Sequence, residues 1–269
     1  MIIDTCVVAS NLNDFYMDFF PVVNRCWKDI CGIRCIMILI SDTLPTKLEP
    51  FKDDIILFSP IAGVSDILVS QMIRLLYPCI LNESKGVIIS DIDLIPLNKK
   101  FYVENVKDID ESQYVVYRDV LLNERQIAMC FNGASPSVWR EVWDGTITNE
   151  QTIRDFLKMI GSRIHFDGRP GYSGWFTDQL FLYDMVMKFK TKTGRVVILK
   201  DRENGFKRLD RGNTEEIKIN KEQIVKEVKE YNYSDYHLPR PWDEYKEFIM
   251  YFLNELLTTD SLNVIKNYC

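Results

Sequence analysis

The sequence predicts an α/β fold, with a mixed sheet flanked by helices and a helical segment at the C-terminus. Three observations carry that expectation. Short apolar runs alternate with stretches of helical periodicity from Ile2 to Pro96. Beyond Pro96, strand-like runs follow one another with no helix between them. The run Val87 to Ser90 ends in two acids one residue apart, Asp91 and Asp93, and the C-terminal ends of strands in an open α/β sheet are where ligands bind.

Taken in order, Ile2 to Ala9 reads as the first strand. Ser10-Asn11-Leu12-Asn13 is polar and cap-like, and apolar residues then recur at helical spacing from Asp14 to Trp27, with Pro21 set to kink or divide that helix. Ile33 to Ile40 and Asp54 to Phe58 are further strands. Ser65-Asp66 starts a helix that runs to about Leu81, with Ile67, Met72, Leu75 and Leu76 on its apolar face. Val87 to Ser90 is the fourth strand, and the order so far is that of a parallel α/β unit. Tyr114 to Tyr117 and Ile127 to Phe131 read as strands, and Asn132-Gly133 as a turn. Glu150 to Ile160 and Phe176 to Phe189 are helical, and Val196 to Leu199 is a late strand. Thr214 to Tyr231 mixes Glu and Lys as a solvated helix face does. Trp242 to Leu257 is a terminal helix whose aromatic face serves packing.

Composition narrows the function. The 269 residues suit one sizeable domain, and 46% apolar with 27% charged residues is ordinary for a globular protein. A net charge of −6 argues against a general nucleic-acid binder, which would show a basic face. It leaves room for a nucleotide held at a local site. The seven cysteines form no C-x-x-C pair, so a zinc site is not expected, and buried free thiols in a reducing compartment are. No basic-then-apolar leader opens the chain and no apolar stretch is long enough to span a bilayer, so the cytoplasm is expected. Oligomeric state is left open.

The two acids in "GVIISDIDLIPL", Gly86 to Leu97, need a physical reason. Acids at strand ends often cap turns or face solvent. In strand geometry, however, residues two apart point the same way, and two carboxylates on one side repel unless a cation sits between them. Mg²⁺ and Mn²⁺ take oxygen ligands of this kind.

Context sharpens the reading. The stretch "SQMIRLLYPCILNESKGVIISDIDLIPL", Ser70 to Leu97, resembles the D-x-D region of A-type nucleotide-sugar glycosyltransferases, where a helix bearing an R-L-x-x-P-like stretch leads into the strand. Arg74-Leu75 and Pro78 match that order. The resemblance covers about Met1 to Leu97 and looks closest to the compact glycosyltransferase domains encoded by large DNA viruses of algae and protists. It implies a GT-A-like, Rossmann-type mixed sheet and transfer of a sugar from a UDP-sugar donor to a glycan or other hydroxyl acceptor, with Mn²⁺ or Mg²⁺ as cofactor. The single domain would comprise a nucleotide-binding half (1–97), an acceptor and donor-sugar half (98–213) and a C-terminal helical segment closing over the site (214–269).

The resemblance also implies roles. Asp93 would serve mainly the metal, and Asp91 the ribose or the metal through water. Ala9, Ser10 and Asn11 would hold base and ribose, with Tyr16 either beside them or in the core. Arg74 would lie near acids and donor, or form a structural ion pair with one acid. "FNGASPSVW", Phe131 to Trp139, resembles the strand and turn under the donor sugar, which points to Asn132 and Gly133; a plain hairpin is the alternative. In "GYSGWFTDQLFL", Asp178 is either a helix cap or the carboxylate that deprotonates an acceptor hydroxyl in an inverting reaction. Asp167 and Asp144 are weaker candidates. "DYHLPRPW", Asp235 to Trp242, resembles the H-x-x-G-x-x-K-P-W closing motif of glycogenin-like glycosyltransferases, but departs in spacing and lacks the glycine. His237 would then be a third metal ligand and Arg240 would take the place of the diphosphate-binding lysine. His165 stands in the wrong order and reads as structural. "KRLDRGN", Lys207 to Asn213, is either a lid over the diphosphate or a solvated turn.

Two other classes stay open. A haloacid-dehalogenase-type phosphatase or phosphotransferase also sets D-x-D after an apolar strand, with the first Asp as nucleophile. Leu94 and the three preceding strands depart from that pattern. A non-catalytic nucleotide-sugar-binding domain would need the same acids.

Overall fold

In the computed structural model, which describes residues 1–230 and 232–268, the strands in chain order are β1 (Thr5–Asn11), β2 (Arg34–Ile40), β3 (Ile55–Phe58), β4 (Val87–Ile89), β5 (Leu94–Pro96), β6 (Tyr114–Val116), β7 (Asn132–Ala134), β8 (Val196–Ile198), β9 (Lys207–Asp210) and β10 (Tyr233–His237). Seven of them form one sheet in the order β3-β2-β1-β4-β7-β6-β8, and the other three form a small sheet, β5-β10-β9. β1 to β4 are parallel, and β7 runs antiparallel to β4 and β6. The mixed α/β sheet flanked by helices is the fold class the sequence leads one to expect.

The period-two rule divides the core. Cys6 and Val8 of β1 and Cys35, Met37 and Leu39 of β2 face one hydrophobic cluster, with the terminal helices and the small sheet. Val7 and Ala9 with Ile36, Ile38 and Ile40 face the other, with helices Asp66–Leu76, Pro136–Val142, Glu150–Arg163 and Thr177–Thr193. Because both faces are covered, β1 and β2 read as continuous apolar runs. The six described cysteines are all free and buried in these clusters or beside them. Among the described residues no helix is long and apolar enough to cross a membrane.

Several elements differ from expectation for local reasons. The first helix divides into Asp14–Met17 and Phe20–Cys26, with Pro21 in the first turn of the second piece, where its missing N–H costs nothing. The helix from Asp66 stops at Leu76 and tightens into a single 3₁₀ turn, Tyr77–Ile80, because Pro78 cannot continue the ladder. Ile127 to Phe131 is not a strand: the Ala128 and Met129 carbonyls accept from Asn132 Nδ2, at 2.7 and 3.2 Å, instead of from a neighbouring strand. Asn132-Gly133 is correspondingly no turn but the start of β7, paired with Ile89 and Ile88. A Cβ on Gly133 would meet the Tyr117 ring at 3.3 Å, so the close packing there wants glycine. The charged segment after Asn213 breaks at Asn220 into Thr214–Ile219 and Lys221–Lys229. Tyr231, at the end of that expected helix, and Cys269 lie outside the described residues. The C-terminal segment is not purely helical, since β10 interrupts it before helices Trp242–Leu256 and Thr259–Tyr268.

A buried ionic cluster ties the two sheets together. Arg118 follows β6 and sandwiches its guanidinium between Phe101 and Phe131, 4.8 and 5.2 Å from the ring centres. It donates to Ser234 Oγ at 2.6 Å and pairs with Asp201. Asp235 of β10 is fully buried and accepts from Arg208 Nε of β9 at 2.9 Å. Removing one partner of such a cluster leaves an uncompensated buried charge. Asp235→Ala is therefore expected to lower unfolding stability by about 3–5 kcal/mol, read as a fall in the urea midpoint. An unmoved midpoint would show that the cluster does not hold the small sheet in place.

Candidate functional site

The two acids do not sit in strand geometry. β4 ends at Ile89, and Ser90 N still donates to Val7 O of β1 at 3.0 Å. The chain then turns: Leu94 N donates to Asp91 O at 3.2 Å, and β5 begins in the small sheet. Ile92 points into the core, so Asp91 and Asp93 lie on either side of a buried anchor and find different partners. The repulsion that the sequence suggests is relieved here by side-chain cations.

Asp91 pairs with Arg74, which is on the helix Asp66–Leu76. The same guanidinium reaches Asp178 Oδ2 at 3.0 Å and the Ser90 carbonyl at 3.2 Å. Arg74 thus forms the ion pair that was the alternative expected of it, and with two acids rather than one. Burial works against the charge on Asp91, but Arg74 outweighs it and holds the carboxyl below its ordinary range. For Asp178 the balance is reversed: its side chain is only 3% exposed, and burial pushes the carboxyl up despite Arg74. Asp178 Oδ1 also accepts from Gln179 N at 2.8 Å, at the start of helix Thr177–Thr193.

Asp93 gathers the C-terminal half of the chain. Leu238 N donates to its carbonyl at 2.8 Å, extending the β5–β10 pairing in which His237 lies opposite Leu94. That register sets His237 Nε2 3.2 Å from Asp93 Oδ1 across 144 positions of sequence. Arg211 Nη1 donates to Asp93 Oδ2 at 2.8 Å, and its other arm lies against the His237 ring. Arg240 Nε approaches Asp93 Oδ2 at 3.4 Å while its guanidinium lies 4.8 Å from the Tyr16 ring centre. Burial opposes the charge on Asp93, yet His237, Arg211 and Arg240 hold its carboxyl far below the carboxylate range. Burial likewise disfavours the imidazolium, but Asp93 and Asp210 outweigh it and push His237 up to about 9. Beside these groups opens a cavity of about 560 Å³ lined by Phe15, Arg211, Pro239, Arg240 and Tyr245 among others.

Ala9, Ser10 and Asn11 end β1 at the same edge of the sheet as the acids, because β1 and β4 are parallel. Ser10 Oγ donates to Asn11 O at 2.9 Å. Tyr16 follows them under Arg240, half-buried. Asn132 begins β7 opposite Ile89, also near the acids, and its Oδ1 is buried with no partner. Asp144 pairs with Lys188 at 2.5 Å and Asp167 pairs with Arg169, so neither weaker candidate joins the cluster. His165 is exposed and enters no contact with the cluster. "KRLDRGN" is neither a free lid nor a plain turn: its first four residues form β9, and a short 3₁₀ turn, Arg211–Asn213, aims Arg211 at Asp93. Arg211 and Asp210 carry no individual sequence signal beyond lying in that basic polar stretch before a glycine.

The donor chemistry at Asp93 and His237, one carboxylate and one imidazole in contact, fits a divalent ion such as Mn²⁺. Among the described residues no three histidine, cysteine or carboxylate side chains converge as a ready metal cage. Asp93 and His237 would hold such an ion, with Asp91 behind them.

A solved structure shares the fold. The glycosyltransferase GlyE of Streptococcus pneumoniae TIGR4 superposes with a TM-score of 0.51 at 15% identity, over 100% of this chain and 63% of that one. This chain therefore spans less than two thirds of that enzyme. The bifunctional glycosyltransferase WbbM matches at 0.49, with 11% identity over 98% of this chain and 51% of its own. A glycosyltransferase involved in glycosylation of the major capsid of PBCV-1 matches at 0.45, with 11% identity over 92% and 99% of the two chains. Overlaps as loose as the last two support no inference, and the first speaks for the fold alone. No family model and no curated protein sequence matches this chain.

The shared guanidinium of Arg74 carries a testable cost. Arg74→Ala leaves Asp91 and the buried Asp178 without their cation and should destabilise the protein by about 3–5 kcal/mol. Arg74→Lys should recover only part of this, because a single ammonium cannot fork between two carboxylates. Chemical denaturation of the three proteins measures both, and an Ala variant as stable as the parent would remove the bridge from the account.

Proposed function

We propose that this chain is a glycosyltransferase that moves a sugar from a nucleotide sugar, a UDP-sugar in our reading, to a hydroxyl of a glycan or other acceptor with Mn²⁺ or Mg²⁺ as cofactor. One observation carries the reading. The D-x-D acids, His237 and Arg240 meet at the sheet edge where ligands bind in α/β folds, on a fold shared with a glycosyltransferase. Three basic groups, His237, Arg211 and Arg240, gather on the single buried carboxylate of Asp93, an excess of positive charge that suits an anionic ligand.

Each residue then has a task. Asp93 and His237 hold the ion, and Asp91 supports it or meets the ribose. When bound, the ion neutralises charge that develops on the leaving diphosphate. Arg240 donates to the same phosphates, its guanidinium kept in plane by Tyr16. Ala9, Ser10 and Asn11 receive base and ribose, and Asn132 and Gly133 lie under the donor sugar. Asp178 takes the acceptor proton, and burial that pushes its carboxyl up moves it toward the range a general base needs. It is closed off from solvent under Arg74, so this task requires Arg74 to release it. The buried free thiols suit a reducing compartment, and we assign the chain to the cytoplasm.

Calorimetry tests the reading. Asp93→Ala should abolish Mn²⁺-dependent binding of a UDP-sugar while leaving the circular dichroism of the fold intact, and unchanged affinity would remove Asp93 from the metal. His237→Ala and Arg240→Ala should each weaken donor binding by about 1.5–3 kcal/mol, the range for hydrogen bonds to charged groups. Competition among nucleoside diphosphates should favour UDP, and a preference for GDP would overturn the choice of base. Hydrolysis of the donor with Mn²⁺ separates an enzyme from a module that only binds.

A further inference from the structure

Arg211 touches both groups that the proposed function gives to the divalent ion. Its Nη1 lies 2.8 Å from Asp93 Oδ2, and Nη2 lies against the His237 ring, 3.1 Å from Nδ1. A guanidinium has five donors and no acceptor, so it offers these atoms what a metal ion would, positive charge. It cannot stay while an ion takes the same atoms, because the two cations would repel at contact distance. Arg74 and Arg240 are differently placed. Arg74 pairs with Asp91 and Asp178, away from His237, and Arg240, although its Nε lies 3.4 Å from Asp93 Oδ2, is laid on Tyr16 and does not touch His237.

The surroundings let Arg211 move alone. Its backbone is pinned by Asp210 Oδ1, which accepts from Gly212 N at 2.9 Å, and by Thr214 Oγ1, which donates to Arg211 O at 2.7 Å. Its side chain is 26% exposed and borders the cavity of about 560 Å³. A volume of that order holds a small-molecule ligand. Arg240 lines the same cavity, so a released Arg211 would face a phosphate group together with a second forked donor.

We propose that Arg211 is a displaceable cation: it holds Asp93 and His237 before the divalent ion binds, and passes to the phosphates of a nucleoside diphosphate once the ion takes its place. This rests on the assignment of Asp93 and His237 to the metal. It makes the ion and the diphosphate cooperative through one side chain, since each gains from the move that the other requires.

Two affinities of opposite sign test it, measured by calorimetry on the full chain: Mn²⁺ alone, and UDP at saturating Mn²⁺. In Arg211→Ala, Mn²⁺ alone should bind roughly tenfold tighter and UDP with Mn²⁺ roughly tenfold weaker, the scale of one charge-assisted hydrogen bond. Arg211→Lys keeps a charge but not the fork, and should fall between parent and Ala in both. Mn²⁺ affinity no tighter in Arg211→Ala, or UDP affinity unchanged, overturns the proposal. Asp93→Ala keeps the two questions apart. If Mn²⁺-dependent UDP binding is present in the parent and lost in Asp93→Ala, the metal assignment stands whatever Arg211 does. If the parent binds UDP without regard to Mn²⁺, that assignment fails and the displacement fails with it.

Discussion

The hydrogen bond from Leu94 N to the carbonyl of Asp91 turns the chain out of the large sheet and into the small one. Without that reversal Asp91 and Asp93 would lie on one strand, facing the same way. With it, Ile92 is driven into the core and the two carboxylates separate. β5 then pairs with β10, and the antiparallel register sets His237 opposite Leu94. The C-terminal part of the chain reaches the acids because a backbone ladder carries it there.

Electrostatics follows from this geometry. Asp91 and Asp178 share Arg74, and Asp93 meets Arg211, Arg240 and His237. Buried charges of this kind survive only when paired. The pairing lowers the carboxyls of Asp91 and Asp93 and raises His237, while burial has the upper hand at Asp178. Two acids drawn from the same guanidinium network therefore have carboxyls displaced in opposite directions. That is the pattern expected where one acid binds charge and another handles a proton.

The frame behind the site is held by a second set of charges. Arg118, Arg208, Asp201 and Asp235 join the end of β6 to β9 and β10, and Phe101 and Phe131 pack against the Arg118 guanidinium, with Arg208 also over Phe131. Among the described residues the small sheet has three strands, and it packs Leu94, Ile95, Leu209 and Tyr236 into the core. Its attachment fixes the position of His237 and Arg211 relative to Asp93.

Much of the fold was legible in the residues. The apolar runs of β1 to β4 and their intervening helix declare themselves because a strand buried on both faces must be apolar throughout, and the D-x-D pair stands out against that background. Asn132-Gly133 misled because those residue types signal turns, whereas here the side-chain amide of Asn132 takes carbonyls that a strand at 127–131 would have used, and Tyr117 needs the space at Gly133. Periodicity is a local property, so the sequence by itself determined β1 to β4, β6, β8, the longer helices and the acids that follow β4, but not the strands of the small sheet. Which cations meet those acids depends on strand register between segments more than a hundred positions apart. Only the tertiary structure could decide that, because a one-residue slip between β5 and β10 would turn His237 to the opposite face.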